Sequence, residues 1–200
     1  TKLAKNILPQ SNSLRLMGLR LLKILPMLTK YGITLLIATD GVYCDTVKLR
    51  ELLDGFASDN LAALWDCYST YFYSLEEPDK SVENLGAYIK HVHIKDSVKN
   101  GQFAVVGEGD MPFGDVMSAL SSVDYDGFLS LQWDNAWMGG FDDYDIILPH
   151  FVSYMNSFES DNKKTSFYPN HDGSGYYIWK KDELIDLTFS RVLDKLVEEF

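Results

Sequence analysis

The chain has 200 residues, 46% hydrophobic and 14% aromatic, which is enough to build the core of one domain, or of one domain with an appendage. Its formal net charge of −11 argues against a nucleic-acid or anionic-membrane surface, since both need clustered lysines and arginines. It has two cysteines, no visible signal peptide and no apolar run near the ~18 residues of a membrane span, so we expect a cytoplasmic protein without a disulfide framework.

The N-terminal part of the chain alternates between helical and strand patterns. Leucines recur at helical spacing from Leu14 to Leu28, and Gly32 is expected to end that helix. The apolar, partly β-branched run over residues 33–39 then predicts a strand. Asp45 is placed to cap a helix over residues 46–56.

The middle of the chain repeats this order. A second apolar strand is predicted over residues 61–65 and ends on Asp66. The aromatic residues of segment 68–73 predict a loop, which leads to a helix near residues 80–87. Residues 88–96 predict a third strand with polar residues on one face.

The series ends with a fourth unit. A polar hairpin or loop around residues 99–103 is followed by a helix over residues 112–120. A fourth strand is predicted over residues 128–132 and a closing helix near residues 145–158. Strands that alternate with helices in this way predict βαβ crossovers and a parallel sheet, hence an α/β fold.

This order corresponds to about half of a closed barrel. A (β/α)₈ barrel takes ~250 residues and eight strands, whereas this chain has about four parallel βα units. An open doubly wound sheet is the alternative, but no glycine-rich phosphate turn follows any predicted strand. We therefore predict a partial (β/α)₈ TIM barrel over residues 1–159, which needs the missing barrel half or a partner chain to cover its sheet edges.

The end of the chain has a different character. Residues 160–175 are polar and rich in Gly, Asn and Ser, which is typical of a linker. Residues 176–200 predict a C-terminal helical tail, with an amphipathic helix from Asp182 to Phe200. The chain begins at Thr1 without a Met and stops inside this helical pattern, so we expect a fragment of a longer protein.

The third strand carries the most informative polar residues. Because side chains alternate along a strand, His91, His93 and Lys95 share one face, while Val92 and Ile94 share the other. An apolar face against helices and a polar face toward a cavity suit a barrel strand that presents a metal ligand. The alternative of a histidine satisfied within the core stays open at this point.

Polar residues also stand at the ends of the other predicted strands. They are Asp40 after the first strand, Asp66 at the end of the second, Asp96 after the third and Gln132 at the end of the fourth. In a parallel barrel the catalytic groups lie where the strands end. One carboxylate at a strand end is ordinary capping, whereas polar groups at four successive strand ends predict a site.

Five motifs follow one another in the order of a known family. They are Ala38-Thr-Asp-Gly-Val-Tyr-Cys-Asp-Thr46, Leu64-Trp-Asp66, His91-Val-His-Ile-Lys-Asp96, Gly107-Glu-Gly-Asp-Met-Pro112 and Asp126-Gly-Phe-Leu-Ser-Leu-Gln-Trp133. Together they resemble the later half of a xylose-isomerase-like TIM barrel. That superfamily contains sugar-phosphate isomerases and epimerases and also endonucleases of apurinic sites. The net charge of −11 argues against the endonucleases.

The resemblance implies a site for one divalent cation, Mn²⁺, Mg²⁺ or a similar ion, held by a glutamate, an aspartate, a histidine and a second glutamate from successive strands. Asp66 and His93 match the aspartate and the histidine. The two glutamates, which often act as the acid/base pair, fall on Ala38 and Gln132. A further histidine of the family falls on Ser69.

These departures imply a weakened or lost metal site. Alanine cannot bind a metal, and the neutral amide of Gln132 is a poor ligand and no general base. Asp40 is a candidate to rescue weak binding from higher on the rim. His91, Lys95 and Asp96 are candidates for contacts with substrate. Lys95 and Asp96 could equally pair with each other or with neighbours.

Two functions stay open. The first is a sugar or sugar-phosphate isomerase or epimerase domain with a degraded divalent-metal site and little or no turnover, which binds a sugar or polyol. The second is a non-catalytic binding or accessory module. Residues 182–200 resemble the lead-in helix of adenylate-forming acyl-CoA synthetases, which implies fusion to such an enzyme. An ordinary amphipathic packing helix explains the same pattern.

Overall fold

The structure, a computed structural model, describes residues 12–99, 101–133 and 144–158 and the strands at 167–169, 175–180 and 183–188. The helices are α1 Asn12–Tyr31, α2 Thr46–Phe56, α3 Cys67–Ser74, α4 Pro78–Leu85, α5 Phe113–Ser122 and α6 Tyr144–Asn156. The strands are β1 Leu35–Ala38, β2 Leu61–Asp66, β3 Ile89–Ile94, β4 Asp96–Ser97, β5 Phe103–Ala104, β6 Phe128–Leu131, β7 Phe167–Pro169, β8 Gly175–Lys180 and β9 Glu183–Thr188.

A four-stranded parallel sheet in the order β1-β2-β3-β6 organises the first of two compact units, which comprises Thr1–Ala104 and Glu108–Trp133. Each step to the next strand passes through at least one helix, as parallel pairing requires. The four predicted sheet strands are thus confirmed, and so is an α/β fold that corresponds to part of a TIM barrel. The predicted polar hairpin is also present, as the antiparallel pair β4–β5.

Local capping fixes where the helices begin. The Asp45 carboxylate accepts a hydrogen bond from the Lys48 backbone N–H and caps α2, as the sequence predicts. Asp66 caps α3 in the same way through the Ser69 N–H, at 3.0 Å. Pro78 occupies the first turn of α4, where its missing N–H costs nothing.

The predicted aromatic loop over residues 68–73 is wrong, because this segment forms helix α3. Aromatic residues have only moderate helix propensity, so the sequence of this segment did not indicate a helix. Two other features stabilise it: the N-cap at Asp66 and the burial of Cys67, Tyr68, Ser69 and Thr70. Strand β2 therefore runs directly into a helix at the point where the candidate site begins.

The second compact unit comprises Val105–Gly107 and Asp134–Phe200 and contains α6 and an antiparallel sheet in the order β7-β8-β9. The predicted helix from Asp182 is wrong over Glu183–Thr188, because these residues pair with β8 as an extended strand. Residues 189–200 lie outside the described part of the chain. Of the predicted linker 160–175, Phe167–Pro169 forms a strand. None of the helices in the described ranges is long and apolar enough to cross a membrane.

Candidate functional site

Strand register aligns the candidate residues across the parallel sheet. Asp66 on β2 lies opposite His93 on β3, and His93 lies opposite Ser130 on β6. Two residues nearer the start of β2, Leu64 is aligned with His91 on β3 and with Ala38 on β1. Because partners in register point to the same side, these side chains share one face of the sheet. We call Asp66, His91, His93 and Ser130 the polar face.

The two faces of the sheet differ in burial. Trp65 and Val92, which are neighbours in register on the opposite face, are each 0% exposed. His91, His93 and Ser130 are only half-buried. The burial agrees with the predicted division of β3 into an apolar and a polar face, and His91, His93 and Ser130 are partly accessible from solvent.

Asp66 connects two elements at the end of β2. Its Oδ1 accepts the Ser69 N–H, and its Oδ2 lies 3.9 Å from Lys95 Nζ. The Thr39 hydroxyl bridges the ends of β1 and β2, since it accepts the Asp66 N–H at 2.8 Å and lies 3.2 Å from the Asp66 carbonyl oxygen. The Asp66 backbone is thus bonded to β1, its carboxylate is bonded to the start of α3, and only 6% of the residue is exposed.

Lys95 belongs to this site, as predicted for a substrate contact, but it approaches Asp66 rather than Asp96. Its Nζ also lies 4.5 Å from the ring centroid of Tyr68 and 5.3 Å from that of Phe103. Whether Lys95 touches a substrate stays a prediction. Of the alternatives left open by the sequence, pairing with a neighbouring group is the one observed.

The two histidines lie together on the polar face. Their rings meet edge to face with centroids 5.4 Å apart, and His91 Nε2 lies 2.7 Å from Ser130 Oγ. Burial, with the charge of His93, lowers the pKa of His91. Burial also lowers the pKa of His93. The negative charge of Asp66 opposes this shift in pKa, whereas the positive charge of Lys95 adds to it. Both imidazoles are therefore expected to be neutral at pH 7 and able to accept a proton.

Asp96 is buried and binds backbone N–H groups. It is 1% exposed, and its oxygens accept the backbone N–H groups of Ser97, Gly109 and Met111 at 2.8, 2.9 and 3.2 Å. A Cβ at Gly109 would collide with this carboxylate. These bonds anchor the loop after β5. Pairing with neighbouring groups was one of the alternatives left open by the sequence, and a contact between Asp96 and a substrate stays a prediction.

The remaining candidates flank the polar face. Ala38 is exposed at the end of β1, in the place where the family resemblance implies a glutamate. Asp40 is exposed, and its Oδ1 accepts the Gly41 N–H at 2.7 Å. Gln132 continues the β6 ladder through its N–H to the Ile94 carbonyl, and its Oε1 is buried without a hydrogen-bond partner among the described residues.

Three residues of the site were not foreseen as such. Ser130 was hidden because a serine inside a strand has no distinctive sequence signal, although its alternation with Gln132 places it on the polar face. Tyr68 and Phe103 reach Lys95 from α3 and β5, and such long-range contacts leave no spacing in the sequence. Alternation along the fourth strand was the one signal that could have identified Ser130.

The ligand chemistry of the site can be stated from these contacts. It offers one carboxylate, one ammonium group and two imidazoles. Across the described ranges, no group of three or more His, Cys, Asp and Glu residues lies close enough to hold a metal ion.

The family follows from a comparison with known proteins. A family model described as "Xylose isomerase-like TIM barrel" matches residues 6–146, which is more than half of the chain. The chain belongs to this family. The resemblance of the five motifs is confirmed by this match, whereas no comparison shows a relation to acyl-CoA synthetases.

Two inosose dehydratases are among the similar proteins. The chain is 30% identical over 105 residues to the inosose dehydratase of Bacillus thuringiensis (strain Al Hakam), a match that covers 44% of this chain and 35% of the relative. The inosose dehydratase of Bacillus cereus (strain 03BB102) matches equally. The chain thus spans about a third of the length of these relatives.

Solved structures support the same fold. A xylose isomerase domain protein from Planctomyces limnophilus has a TM-score of 0.60 at 17% identity, over 75% of this chain and 54% of that chain. A D-allulose 3-epimerase from Methylomonas sp. has a TM-score of 0.62 at 17% identity, over 74% of this chain and 57% of that chain. At such identities the likeness shows the xylose isomerase-like fold alone.

Proposed function

We propose that the chain is a sugar isomerase, epimerase or dehydratase domain of the xylose isomerase-like family with an incomplete divalent-metal site and little or no turnover. The observation that carries this proposal is the pairing of Asp66 with His93 in register. The family resemblance, which implies a glutamate at the position of Ala38, supports the incomplete site. The domain keeps the polar face on which a polyol or keto-sugar would bind.

The donor set does not fit a tightly bound divalent ion. Mn²⁺ and Mg²⁺ prefer several oxygen ligands with negative charge, and here Asp66 is the one carboxylate on the polar face. Gln132 offers at most a neutral oxygen, and Ala38 offers none. A positively charged neighbour, Lys95, stands 3.9 Å from Asp66. No step of a reaction is therefore assigned to a metal ion in this chain.

The substrate class is proposed from the chemistry of the site and of the relatives. Inosose dehydratases and sugar epimerases, by their names, act on polyhydroxylated substrates. Neutral imidazoles, the Ser130 hydroxyl and the Lys95 ammonium are suitable partners for hydroxyl and carbonyl oxygens. A small keto-polyol or keto-sugar is thus the proposed ligand. A binding screen should include phosphorylated and unphosphorylated forms of this ligand.

The accessory-module alternative has lost part of its support. Its fusion to a synthetase relied on the resemblance of residues 182–200 to a lead-in helix, and Glu183–Thr188 is a strand. The non-catalytic reading itself relies on Ala38, Ser69 and Gln132, which are unaffected. Binding without turnover on the polar face remains common to both functions, and a fusion to a synthetase stays a prediction.

Restoring the two glutamates tests the incomplete metal site. In Ala38→Glu/Gln132→Glu, the Kd for Mn²⁺ measured by calorimetry is expected to fall by at least about tenfold, because two anionic ligands join Asp66 and His93. The matched control is Ala87→Glu/Gln102→Glu, which adds the same charge at two exposed positions outside the polar face.

Two outcomes would contradict the proposed metal site. Tight Mn²⁺ binding by the unmodified chain would refute the incomplete site. An equal gain in affinity in both double variants would show that net charge, and not the ligand positions at residues 38 and 132, controls binding.

A further inference from the structure

The Lys95 side chain is unusually enclosed for a lysine that follows a strand. Lysines normally carry their ammonium group into solvent. The Lys95 side chain is 13% exposed and that of Asp66 is 9% exposed, with 3.9 Å between Nζ and Oδ2. The opposite charges thus offset one another in a place that water reaches poorly, and removing one of them would leave the other buried without compensation.

Two aromatic rings complete the surroundings of this ammonium group. Nζ lies 4.5 Å from the Tyr68 ring centroid and 5.3 Å from the Phe103 ring centroid. The two rings also contact each other, with centroids 5.8 Å apart. Cation–π attraction is strongest where the cation is desolvated. Helix α3 and strand β5 therefore hold the ammonium beside the carboxylate of β2.

We propose that Lys95 supplies the cation of this site in place of a divalent metal ion and keeps such an ion away from Asp66. The inference rests on the proposed function, because it explains how Asp66 keeps its charge balanced where Ala38 and Gln132 replace glutamates. The Oδ1 atom of Asp66 accepts the Ser69 N–H, and Lys95 Nζ faces Oδ2 at 3.9 Å as an ion pair.

Electrostatics gives the reason for the exclusion. A divalent ion bound directly to Asp66 would lie about 2.0–2.6 Å from its oxygen, hence within a few ångströms of Nζ. Repulsion between charges at that separation is substantial at the effective dielectric of a partly buried site, and salt screens it little. An ammonium group, with three N–H donors, can instead bind hydroxyl or carbonyl oxygens of a polyol without any metal.

Mn²⁺ binding to charge variants of Lys95 tests the inference, with the free ion measured by electron paramagnetic resonance. Lys95→Met removes the charge while keeping most of the side-chain volume, and it is expected to lower the Kd for Mn²⁺ by about tenfold or more. Lys95→Arg keeps the charge and is expected to leave the Kd unchanged. The matched control is Lys90→Met, at an exposed position within β3, the strand that precedes Lys95.

Two results would overturn the inference. One is a Kd in Lys95→Met within about twofold of the unmodified chain. The other is an equal gain of affinity in Lys95→Arg, which would mean that side-chain shape, and not charge, controls access to Asp66. If circular dichroism shows that Lys95→Met is unfolded, Lys95→Gln replaces it with the same expected result.

The glutamate variants separate this inference from the proposed function. If Lys95→Met raises Mn²⁺ affinity but Ala38→Glu/Gln132→Glu does not, Lys95 is the excluding cation and the proposed ligand positions are wrong. If the glutamate pair raises the affinity and Lys95→Met has no effect in either background, the role of Lys95 alone is refuted.

Discussion

Several aspartates of the first unit accept hydrogen bonds from backbone N–H groups or from neighbouring side chains. Asp45 and Asp66 cap helices α2 and α3, and Asp96 binds three backbone N–H groups. Asp54 accepts the Tyr88 hydroxyl at 2.7 Å and the Arg50 Nε–H at 2.8 Å. Because capping and chemistry draw on the same residue type, each carboxylate has to be judged by its partners.

The Asp54 contacts predict a measurable change in acidity. The Tyr88 hydroxyl and then the Arg50 guanidinium hold the pKa of Asp54 below its ordinary value. In Tyr88→Phe this pKa is expected to rise in an NMR titration, while the pKa of Asp45, lowered mainly by its bond to Lys48, stays unchanged.

The lowered pKa of Asp54 makes the stability of the fold depend on pH. A depressed pKa stabilises the fold above the unfolded carboxyl pKa of about 3.9, and the contribution is lost as pH falls through the folded pKa. Tyr88→Phe should thus reduce stability slightly at neutral pH and not at low pH, a small effect because Asp54 is exposed. An unchanged Asp54 pKa in the variant would contradict the assigned bond.

At the scale of elements, the loop between β5 and α5 depends on one buried carboxylate. Asp96→Ala would leave the N–H groups of Gly109 and Met111 without their acceptor. The expected loss in the free energy of unfolding is about 3 kcal/mol, measured by urea denaturation. The control Asp59→Ala, at an exposed turn, should change it by less than about 0.5 kcal/mol. Equal effects of the two substitutions would contradict the anchoring role.

Some sequence patterns were sufficient to predict the strands and helices, and others were not. Strands β1, β2, β3 and β6 were predictable because short apolar runs are bounded by polar residues. Helix α3 was missed because its stability comes from the Asp66 cap and from burial. Strand β9 was mistaken for a helix because a short run such as Glu183–Thr188 suits either period, and its pairing with β8 is a long-range choice.

In the candidate site, too, features set by local patterns were predictable and features set by long-range packing were not. Asp66, His93 and His91 could be located because strand ends and strand alternation are local rules. The enclosure of Lys95 by Tyr68 and Phe103 could not be predicted, because it depends on how three elements pack. The family resemblance implied that Ala38 and Gln132 stand at the two glutamate positions, and the proposed role of Lys95 would give such a replacement a physical reason.

At the scale of the whole molecule, the chain spans a little over half of the solved structures that share its fold. Within the described residues, β1 and β6 each pair with a single neighbouring strand, and the polar face is half-exposed. Exposed strand edges are normally covered or charged in proteins. The need for a further half-barrel or a partner chain therefore stays a prediction.

We propose that an ammonium group, and not a metal ion, balances the charge of Asp66. Anomalous diffraction from crystals of the unmodified chain equilibrated with Mn²⁺ can distinguish the two. We expect no anomalous peak between Asp66 and His93, and we expect Lys95 Nζ beside the Asp66 carboxylate. A manganese ion bonded to both residues, with Lys95 displaced, would refute the proposed role of Lys95.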